Sequence, residues 1–395
     1  MRLTGPLLSL FAGACGHLGF DALPSPDAAS DDAAADAPPP TLIACGTSPR
    51  FAITLTSAMQ LAATATTDGY RVFTTDDTGQ VRGSAFTFAT ASGATTLGAA
   101  GPEVDIVQGA TGPLGAIASG NQTVLAAPYG AAPNSTGTSL IPLDAQLQPL
   151  GAAVRRDGWY GAAGSLAQRP GGPLAFLIQA IDGRAVDAQL VSPLGADDGG
   201  ASHVIDSSEG ANTPTILAAG AGYVATWNAT VPSPDPIRAA LLSDQLQPTA
   251  LASTQITPTT TLPDSFAARV AYLPGVDRYL FVWTEKLSGD QIWMSLRDAS
   301  LGPIGAAAMV TTDGVTPNVV ASADDFLVVW IAGNQALGAA RVSSDGQITQ
   351  RPAIATSGGG AVAWDLVSRN DQPVLVWLEG GGAGPNLWFD PLCTP

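Results

Sequence analysis

The feature that most constrains this chain is an internal repeat whose last unit is divided between the two ends of the sequence. The strand-like runs FLVVW and PVLVW end at Trp330 and Trp377. Sixteen residues after Trp330 comes Gly346, and sixteen residues after Trp377 comes Cys393. RPAIAT begins five residues after Gly346, and the similar RFAITL begins five residues after Cys45. Both cysteines therefore fall in the same turn of the repeat, as expected for a circular array that the N-terminus completes.

Seven segments of the chain share this pattern. The Trp-ending run and its equivalents read, in chain order, GYRVFT, TVLAAP, PLAFLI, GYVATW, RYLFVW, FLVVW and PVLVW. Each one follows a short strand and precedes a third strand, a tight polar turn and a fourth strand. Four strands in about 50 residues is the period of a β-propeller blade. The pattern therefore predicts an all-β chain that forms a single β-propeller of seven four-stranded blades, with the ring closed by the N-terminal strand RFAITL.

The tryptophans of the repeat indicate how the blades pack. A bulky side chain on the second strand of a blade would fill the gap to the adjacent sheet, so we expect these tryptophans in the core between blades. They are Trp227, Trp283, Trp330 and Trp377. Thr74, Ala127 and Leu177 occupy the same position in the first three units. Because these units are degenerate, six or eight blades stay compatible with the sequence.

The composition agrees with many short strands and argues against several classes of partner. Of the 395 residues, 46% are hydrophobic and only 12% are charged, so the chain can bury a sizeable core. Its 45 glycines and 31 prolines favour turns over long helices. The net charge of −17 argues against nucleic acid and anionic lipid as partners, because both require clustered Lys and Arg. We expect a monomer that meets a membrane only through a lipid anchor.

The first 40 residues have the pattern of an export signal followed by a tether. Met1 and Arg2 precede an apolar run that ends at Cys15, and FAGAC resembles a bacterial lipobox, in which the cysteine is lipidated. A simple A-x-A cleavage site before Cys15, or no export, stays open. Residues 21–40 alternate Asp, Ala and Pro and cannot bury a core. We predict a signal peptide at 1–14, a disordered tether at 15–40 and the propeller at 41–395, in an outer-membrane lipoprotein or a secreted or periplasmic protein.

Few residues in this chain are suited to catalysis or metal binding. Histidine occurs only at His17 and His203, so no histidine cluster can bind zinc, and no nucleotide-binding or hydrolase motif is present. We therefore predict no cofactor, no metal site and no catalytic residue. Three acids, Asp76, Glu285 and Glu379, each lie two residues after the Trp position of their unit. They could bind calcium or act on a glycoside, or they are only the solvated turn acids of a repeat.

A second candidate ligand-binding segment is RRDGWYG, which connects two blades. Arg155 and Arg156 lie close to Trp159 and Tyr160 in a chain that is otherwise strongly acidic. Aromatic faces beside guanidinium groups suit a carbohydrate or carboxylate ligand. The alternative is an aromatic pair between blades, accompanied by two surface arginines.

The leader with Cys15 and its Asp/Ala/Pro stretch, together with repeats of the type YLFVW…IWMSLRDASLG, resembles the lipoproteins with β-propeller repeats of myxobacterial-type genomes. The resemblance is strongest from Ala221 to Asp390 and implies architecture without a shared activity. We interpret the chain as an extracytoplasmic, lipid-anchored binding module for a carbohydrate, a peptide or an envelope protein. A scaffold in envelope assembly is the first alternative. A glycosidase or lyase that uses the three acids is the second.

We predict a disulfide between Cys45 and Cys393, which would replace the covalent turn present in the other blades; two buried free thiols are the alternative. In the loop-entropy model a crosslink between such distant residues stabilises the fold by up to about 5 kcal/mol. Non-reducing peptide mapping of the exported protein should recover the two cysteines in one linked peptide. Alkylation of both as free thiols would contradict the prediction.

Overall fold

A computed structural model of the chain describes most of the residues between 48 and 392. The described ranges are 48–52, 58–91, 94–120, 122–130, 137–157, 159–180, 185–192, 203–206, 211–229, 236–250, 252–258, 265–286, 289–333, 335–354, 360–380 and 386–392. Within these ranges the chain forms β-strands and no helix, so no helix there is long and apolar enough to cross a membrane. The predicted signal peptide, tether, Cys15, Cys45 and Cys393 lie outside the described residues.

The strands form seven antiparallel sheets that follow one another along the chain. Blade 1 consists of β2 (Ala58–Thr66), β3 (Gly69–Asp76), β4 (Val81–Ala91) and β5 (Ala94–Ala100), with β6 (Val104–Val107) also paired to β4. Blade 2 consists of β7 (Gly115–Ser119), β8 (Gln122–Tyr129), β9 (Gly137–Leu143) and β10 (Val154–Asp157). Blade 3 consists of β11 (Trp159–Gln168), β12 (Leu174–Ala180), β13 (Val186–Val191) and β14 (His203–Asp206). Blade 4 consists of β15 (Ala211–Ala219), β16 (Gly222–Ala229), β17 (Ile237–Leu242) and β18 (Thr254–Gln255).

The last three blades repeat the same order of strands. Blade 5 consists of β19 (Ser265–Leu273), β20 (Arg278–Lys286), β21 (Asp290–Asp298) and β22 (Ala308–Thr311). Blade 6 consists of β23 (Val315–Ala321), β24 (Asp325–Ile331), β25 (Leu337–Ser343) and β26 (Ile348–Gln350). Blade 7 consists of β27 (Ala361–Arg369), β28 (Gln372–Glu379), β29 (Asn386–Pro391) and the N-terminal β1 (Arg50–Ala52). The first strands of successive blades contact one another in a closed cycle, which confirms the seven-bladed propeller.

The ring closes through the N-terminal strand, as the sequence predicts. In blade 7, β1 pairs antiparallel with β29, and Arg50 lies opposite Trp388. Phe51 of β1 contacts both blades at this junction. Its ring centroid lies 4.8 Å from that of Phe86 in blade 1 and 5.7 Å from that of Phe389 in blade 7. Cys45 comes five residues before Arg50, and Cys393 comes five residues after Trp388. Both cysteines lie outside the described residues, so the disulfide between them stays a prediction.

The tryptophans of the repeat lie in the core between blades, as expected. Trp227 and Trp283 are fully buried, and Trp330 and Trp377 are 5% and 2% exposed. Each packs with apolar residues of the preceding blade; Trp227, for example, shares a buried cluster with Leu177 of blade 3. The buried residues divide into seven such clusters, one for each pair of adjacent blades. Burial of apolar surface between radial sheets therefore holds the ring together.

The tight polar turns expected after the third strand are present where the structure describes them. In the turn that begins at Asp298, the Oδ1 atom accepts hydrogen bonds from the backbone N–H groups of Ser300 (2.9 Å) and Gly302 (2.8 Å). The fourth residue of such turns has a positive φ, although in three blades it is a leucine. The φ angles are 63° at Leu147, 59° at Leu246 and 66° at Leu301. All three leucine side chains are buried, so core packing compensates for the unfavourable backbone conformation.

The packing of Trp330 predicts a strong effect of one small substitution. Gly338 lies directly opposite Trp330, and a Cβ atom at Gly338 would approach the indole Cε2 atom to 2.4 Å. Because neither the ring nor the strand can move freely, we expect Gly338→Ala to lower the free energy of unfolding by about 2 kcal/mol or more. Gly151→Ala is the control, since nothing lies within 4 Å of its added Cβ atom. Equal unfolding free energies of the two variants in chemical denaturation would refute this packing argument.

Candidate functional site

The three acids two residues after the Trp position lie in three different blades. Asp76 ends β3, and its Oδ1 atom accepts hydrogen bonds from the backbone N–H groups of Thr78 (2.9 Å) and Gln80 (3.0 Å). The hydroxyl of Thr78 also donates to this carboxylate and, with the two backbone bonds, lowers the pKa of Asp76. Asp76 thus has the hydrogen bonding of a turn acid.

Glu285 and Glu379 end the second strands of blades 5 and 7, and both side chains are buried. The Oε1 atom of Glu285 accepts a hydrogen bond from the indole N–H of Trp283 at 2.9 Å, and burial raises the pKa of the Glu285 carboxyl. Within the described part of the chain, no group of three or more His, Cys, Asp or Glu side chains could hold a metal ion. Neither glutamate, nor Asp76, lines the cavities on the axis of the ring.

The segment RRDGWYG leads from the outermost strand of blade 2 to the innermost strand of blade 3. Arg155 is exposed on β10, and its guanidinium lies 5.1 Å from the ring centroid of Tyr129. Trp159 and Tyr160 begin β11, opposite Ala180 and Gln179. The side chains of Arg156, Trp159 and Tyr160 lie outside the described part of the structure. Their assignment to a binding site stays a prediction.

Two connected cavities lie on the axis of the ring and together form a central channel. The first has a volume of about 810 Å³ and is lined by the innermost strands of six blades. The second has a volume of about 420 Å³ and is lined by the innermost strands of all seven blades. The two cavities share several lining residues, among them Asn318 and Asp365. Cavities of this size hold small ligands in other proteins, so the channel is the candidate functional site.

One residue from each innermost strand lies at the same level of this channel. Each such residue pairs with the one that precedes the Trp position on the second strand of its blade. In blade order this channel row is Ala62, Gly115, Leu166, Thr215, Arg269, Asn318 and Asp365. All of these residues except Ala62 line the 420 Å³ cavity. The row is therefore polar over four consecutive blades, from blade 4 to blade 7, and apolar over blades 1 to 3.

Asp365 connects three blades around the point where the ring closes. Its Oδ1 atom accepts hydrogen bonds from Asn318 Nδ2 (3.2 Å) in blade 6 and from the Leu366 N–H (2.8 Å) in its own blade. Its Oδ2 atom accepts one from the Ala63 N–H (2.9 Å) on the inner edge of blade 1. Burial outweighs these bonds and raises the pKa of Asp365 to about 6. The carboxylate thus satisfies backbone and side-chain donors that would otherwise be unpaired in the channel wall.

Arg269 brings a positive charge to the same level of the channel. Its Nη1 atom donates to the carbonyl oxygen of Ala268 at 2.9 Å. Burial lowers the pKa of the guanidinium, and the carboxylate of Asp365 acts in the opposite direction. No described carboxylate forms an ion pair with Arg269. The remaining N–H groups of Arg269 are therefore available to a ligand in the cavity.

Strained backbone borders this level of the channel in blades 4 and 6. Thr213 has φ 47° and Thr316 has φ 48°, an unfavourable conformation for a β-branched residue. Each threonine precedes a proline, and both Thr-Pro pairs line the 420 Å³ cavity. The register of the innermost strand shifts across each pair, between Asn212 and Thr215 and between Val315 and Asn318. Such strain and bulges concentrate at functional sites in proteins.

The sequence alone did not single out the channel row, although a signal was present. Thr215, Asn318 and Asp365 each lie 12 residues before the tryptophan of their unit. Arg269 lies 14 residues before Trp283, because blade 5 has a longer turn between its first two strands. An alignment of the repeats on tryptophan therefore brings three of these positions together. Their common orientation toward the axis follows only from the closed ring.

Comparison with known proteins identifies the fold and no family. No family model matches the sequence, and no curated protein matches it. Among solved structures, a periplasmic gluconolactonase from Pseudomonas aeruginosa has a TM-score of 0.52 and 14% identity over 74% of this chain and 84% of that one. The Aleuria aurantia lectin has a TM-score of 0.42 and 12% identity over 76% of this chain and 98% of that one. An α-L-arabinofuranosidase from Lactobacillus brevis has a TM-score of 0.39 and 11% identity, over 59% of this chain and 90% of that one.

The position of Asp365 predicts a pH dependence of stability. Its pKa is about 6 in the folded protein and 3.8 ordinarily, so between these values the folded state binds a proton that the unfolded state has lost. The free energy of unfolding should therefore fall as pH rises from 4 to 6, by at most about 3 kcal/mol from this group. Chemical denaturation of the wild type and Asp365→Asn from pH 4 to 7 should show the difference between them shrinking as pH rises.

A matched control for this measurement is Asp298→Asn. Hydrogen bonds in its turn, led by that from the Ser300 hydroxyl, lower the pKa of Asp298. Its contribution to stability changes only below about pH 4, where it is lost as pH falls, so from pH 4 to 7 the difference between the wild type and this variant should stay nearly constant. A wild-type advantage over Asp365→Asn that is constant with pH would show that the pKa of Asp365 is not raised.

Proposed function

We propose that the protein is an extracytoplasmic binding module that holds a small hydroxylated ligand, of the carbohydrate class, in its central channel. The observation that supports this proposal is the two-sided channel row, polar over blades 4 to 7 and apolar over blades 1 to 3. Sugar rings present hydroxyl groups at their edges and C–H groups on their faces. Ligand sites combine apolar walls with a few fixed polar groups in the same way. A monomer tethered through a lipid at Cys15 would place this site outside the cytoplasm.

The polar part of the channel row suits recognition of hydroxyls; this polar arc consists of Thr215, Arg269, Asn318 and Asp365. Asn318 keeps its amide in the channel wall through its hydrogen bond to Asp365, which holds both side chains in position. Thr215 has a hydroxyl oxygen that is buried and has no hydrogen-bond partner. A buried polar group without a partner is unfavourable in the free protein, so a ligand hydroxyl that bonds to it would gain affinity after a small local adjustment.

The alternative functions have less support from the described residues. A glycosidase of the usual kind requires two carboxyl groups on either side of the bond that breaks, whereas the channel row contains one carboxyl, Asp365. A scaffold would present a continuous apolar patch. The exposed large apolar residues that the structure describes are Leu150, Val276, Met309 and Val362. They are spread over blades 2, 5 and 7, on different strands and turns.

A glycan and peptidoglycan-fragment array, probed with the full chain, tests this function. We expect selective binding, which Thr215→Val should weaken about tenfold, because one hydrogen bond to a ligand is worth roughly 1.5 kcal/mol. The matched control is Thr349→Val, which makes the same change on an exposed outer strand and should bind as the wild type does. Absence of binding by the wild type, or an equal loss in both variants, would contradict a carbohydrate site in the channel.

A further inference from the structure

Arg269 has fewer partners than most of the other arginines that the structure describes, and Arg278 resembles it in having one hydrogen bond, to the carbonyl of Ser344. Arg71 pairs with Asp68 at 3.0 Å, and Arg82 pairs with Asp105 at 2.9 Å. Arg297 instead donates to two carbonyl oxygens and a hydroxyl, and Arg369 donates to the carbonyls of Thr66 and Thr67. Arg269 has one hydrogen bond, to the carbonyl of the residue before it. Its guanidinium therefore lines the channel without an ion pair to any described carboxylate, and Asp365 acts on it only at a distance.

Asp365 does not supply the missing partner. Both of its oxygen atoms already accept hydrogen bonds that join blades 6, 7 and 1. It affects Arg269 through its charge, without a direct contact between them. Removing the Asp365 carboxylate from these donors to reach Arg269 would leave the inner edge of blade 1 unpaired. The carboxylate of Asp365 thus joins blades to one another, whereas the guanidinium of Arg269 lines the cavity.

The backbone around Arg269 is irregular and strained. Arg269 follows the register shift of β19, between Phe266 and Arg269, which is equivalent to the shifts in blades 4 and 6. The strained residues Thr213 and Thr316 lie in the blades on either side of it. An unpaired charge and two strained residues are all unfavourable in the free protein. Their concentration around one cavity is the pattern of a preorganised binding site.

We propose that the channel binds a sugar that carries a carboxylate, with Arg269 as the group that recognises the carboxylate; this inference rests on the proposed carbohydrate function. A guanidinium has two parallel N–H donors that match the two oxygens of a carboxylate. The polar arc from Thr215 to Asp365 then bonds to the hydroxyls of the same ligand. Arg169 also lines the 810 Å³ cavity, but it pairs with Asp244 at 3.8 Å. One positive charge, that of Arg269, thus lies at the level of Asp365, which in a chain of net charge −17 favours a monoanion over a phosphate dianion.

Isothermal titration of the full chain with matched pairs of sugars tests this proposal. The pairs are galactose with galacturonate and glucose with glucuronate, and glucose 6-phosphate is a third kind of probe. We expect the wild type to bind one uronate at least tenfold more tightly than its neutral counterpart and than the sugar phosphate. The affinity for the uronate should fall as salt is added, and that for the neutral sugar should not. Arg269→Gln should lose the tenfold preference, so that the uronate and the neutral sugar bind with similar affinity.

Two further variants keep the test independent of folding. Arg82→Gln makes the same change of charge at an exposed ion pair of blade 1 and should retain the uronate preference. Arg269→Lys keeps the charge without the paired donors and should retain only part of that preference. Without ligand, Arg269→Gln should unfold at the same temperature as the wild type or higher, because it removes an unpaired charge from the channel.

The outcomes separate the two proposals. Equal binding of uronate and neutral sugar by the wild type, or a preference that survives in Arg269→Gln, would overturn carboxylate recognition and leave the carbohydrate site standing. Tighter binding of the sugar phosphate would also overturn it, in favour of a dianion. Failure of the wild type to bind any of these sugars, together with an empty glycan array, would overturn both.

Discussion

The pairing of β1 with β29 is the constraint on which the rest of this structure depends. A propeller blade buries both of its faces only when it has a neighbour on each side, so seven blades leave no face exposed only if the last meets the first. Here that contact is made by a strand from the opposite end of the chain, and Phe51 joins it to blade 1. The bond from Ala63 to Asp365 spans 302 positions of sequence and reinforces the same junction at the channel. Such distant contacts cost much loop entropy, so we expect closure to be the last step of folding.

Much of the fold was predictable from the sequence, because the fold is a repeat. The tryptophan runs, the tight polar turns and the similarity of RFAITL to RPAIAT lead to seven blades and to the strand that closes them. Blades 1 to 3 were harder, since Thr74, Ala127 and Leu177 replace the tryptophan. The structure shows why these replacements are tolerated: in blade 1, Phe73 is fully buried in the cluster shared with blade 2. Burial between blades requires apolar volume, and it does not require tryptophan at one position.

The candidate site was much less predictable, for a geometric reason. Acids such as Asp76 and Glu285 attract attention because they recur near tryptophans, but their hydrogen bonds are local to a turn or a strand. Arg269 and Asp365 each occur in one blade only, and no other blade has the same residue type at the equivalent position. They share a site only because the ring brings innermost strands of different blades to one axis. A function built from one residue per repeat leaves no motif within any repeat.

The channel row offers a way for the ligand specificity of such a propeller to change while its fold is kept. Each blade contributes one side chain at a fixed level, and most of these side chains lie outside the tightly packed clusters between blades. A substitution at Gly115, Thr215 or Arg269 would change the lining of the channel without altering these clusters. Ala62 and Leu166 pack between blades, and Asn318 and Asp365 bond to each other across them. Neighbouring positions come from separate repeats, so variation in one blade leaves the next unchanged. Positions that only line the channel can thus vary independently, so that descendants of one ancestral ring could acquire different ligands through single substitutions.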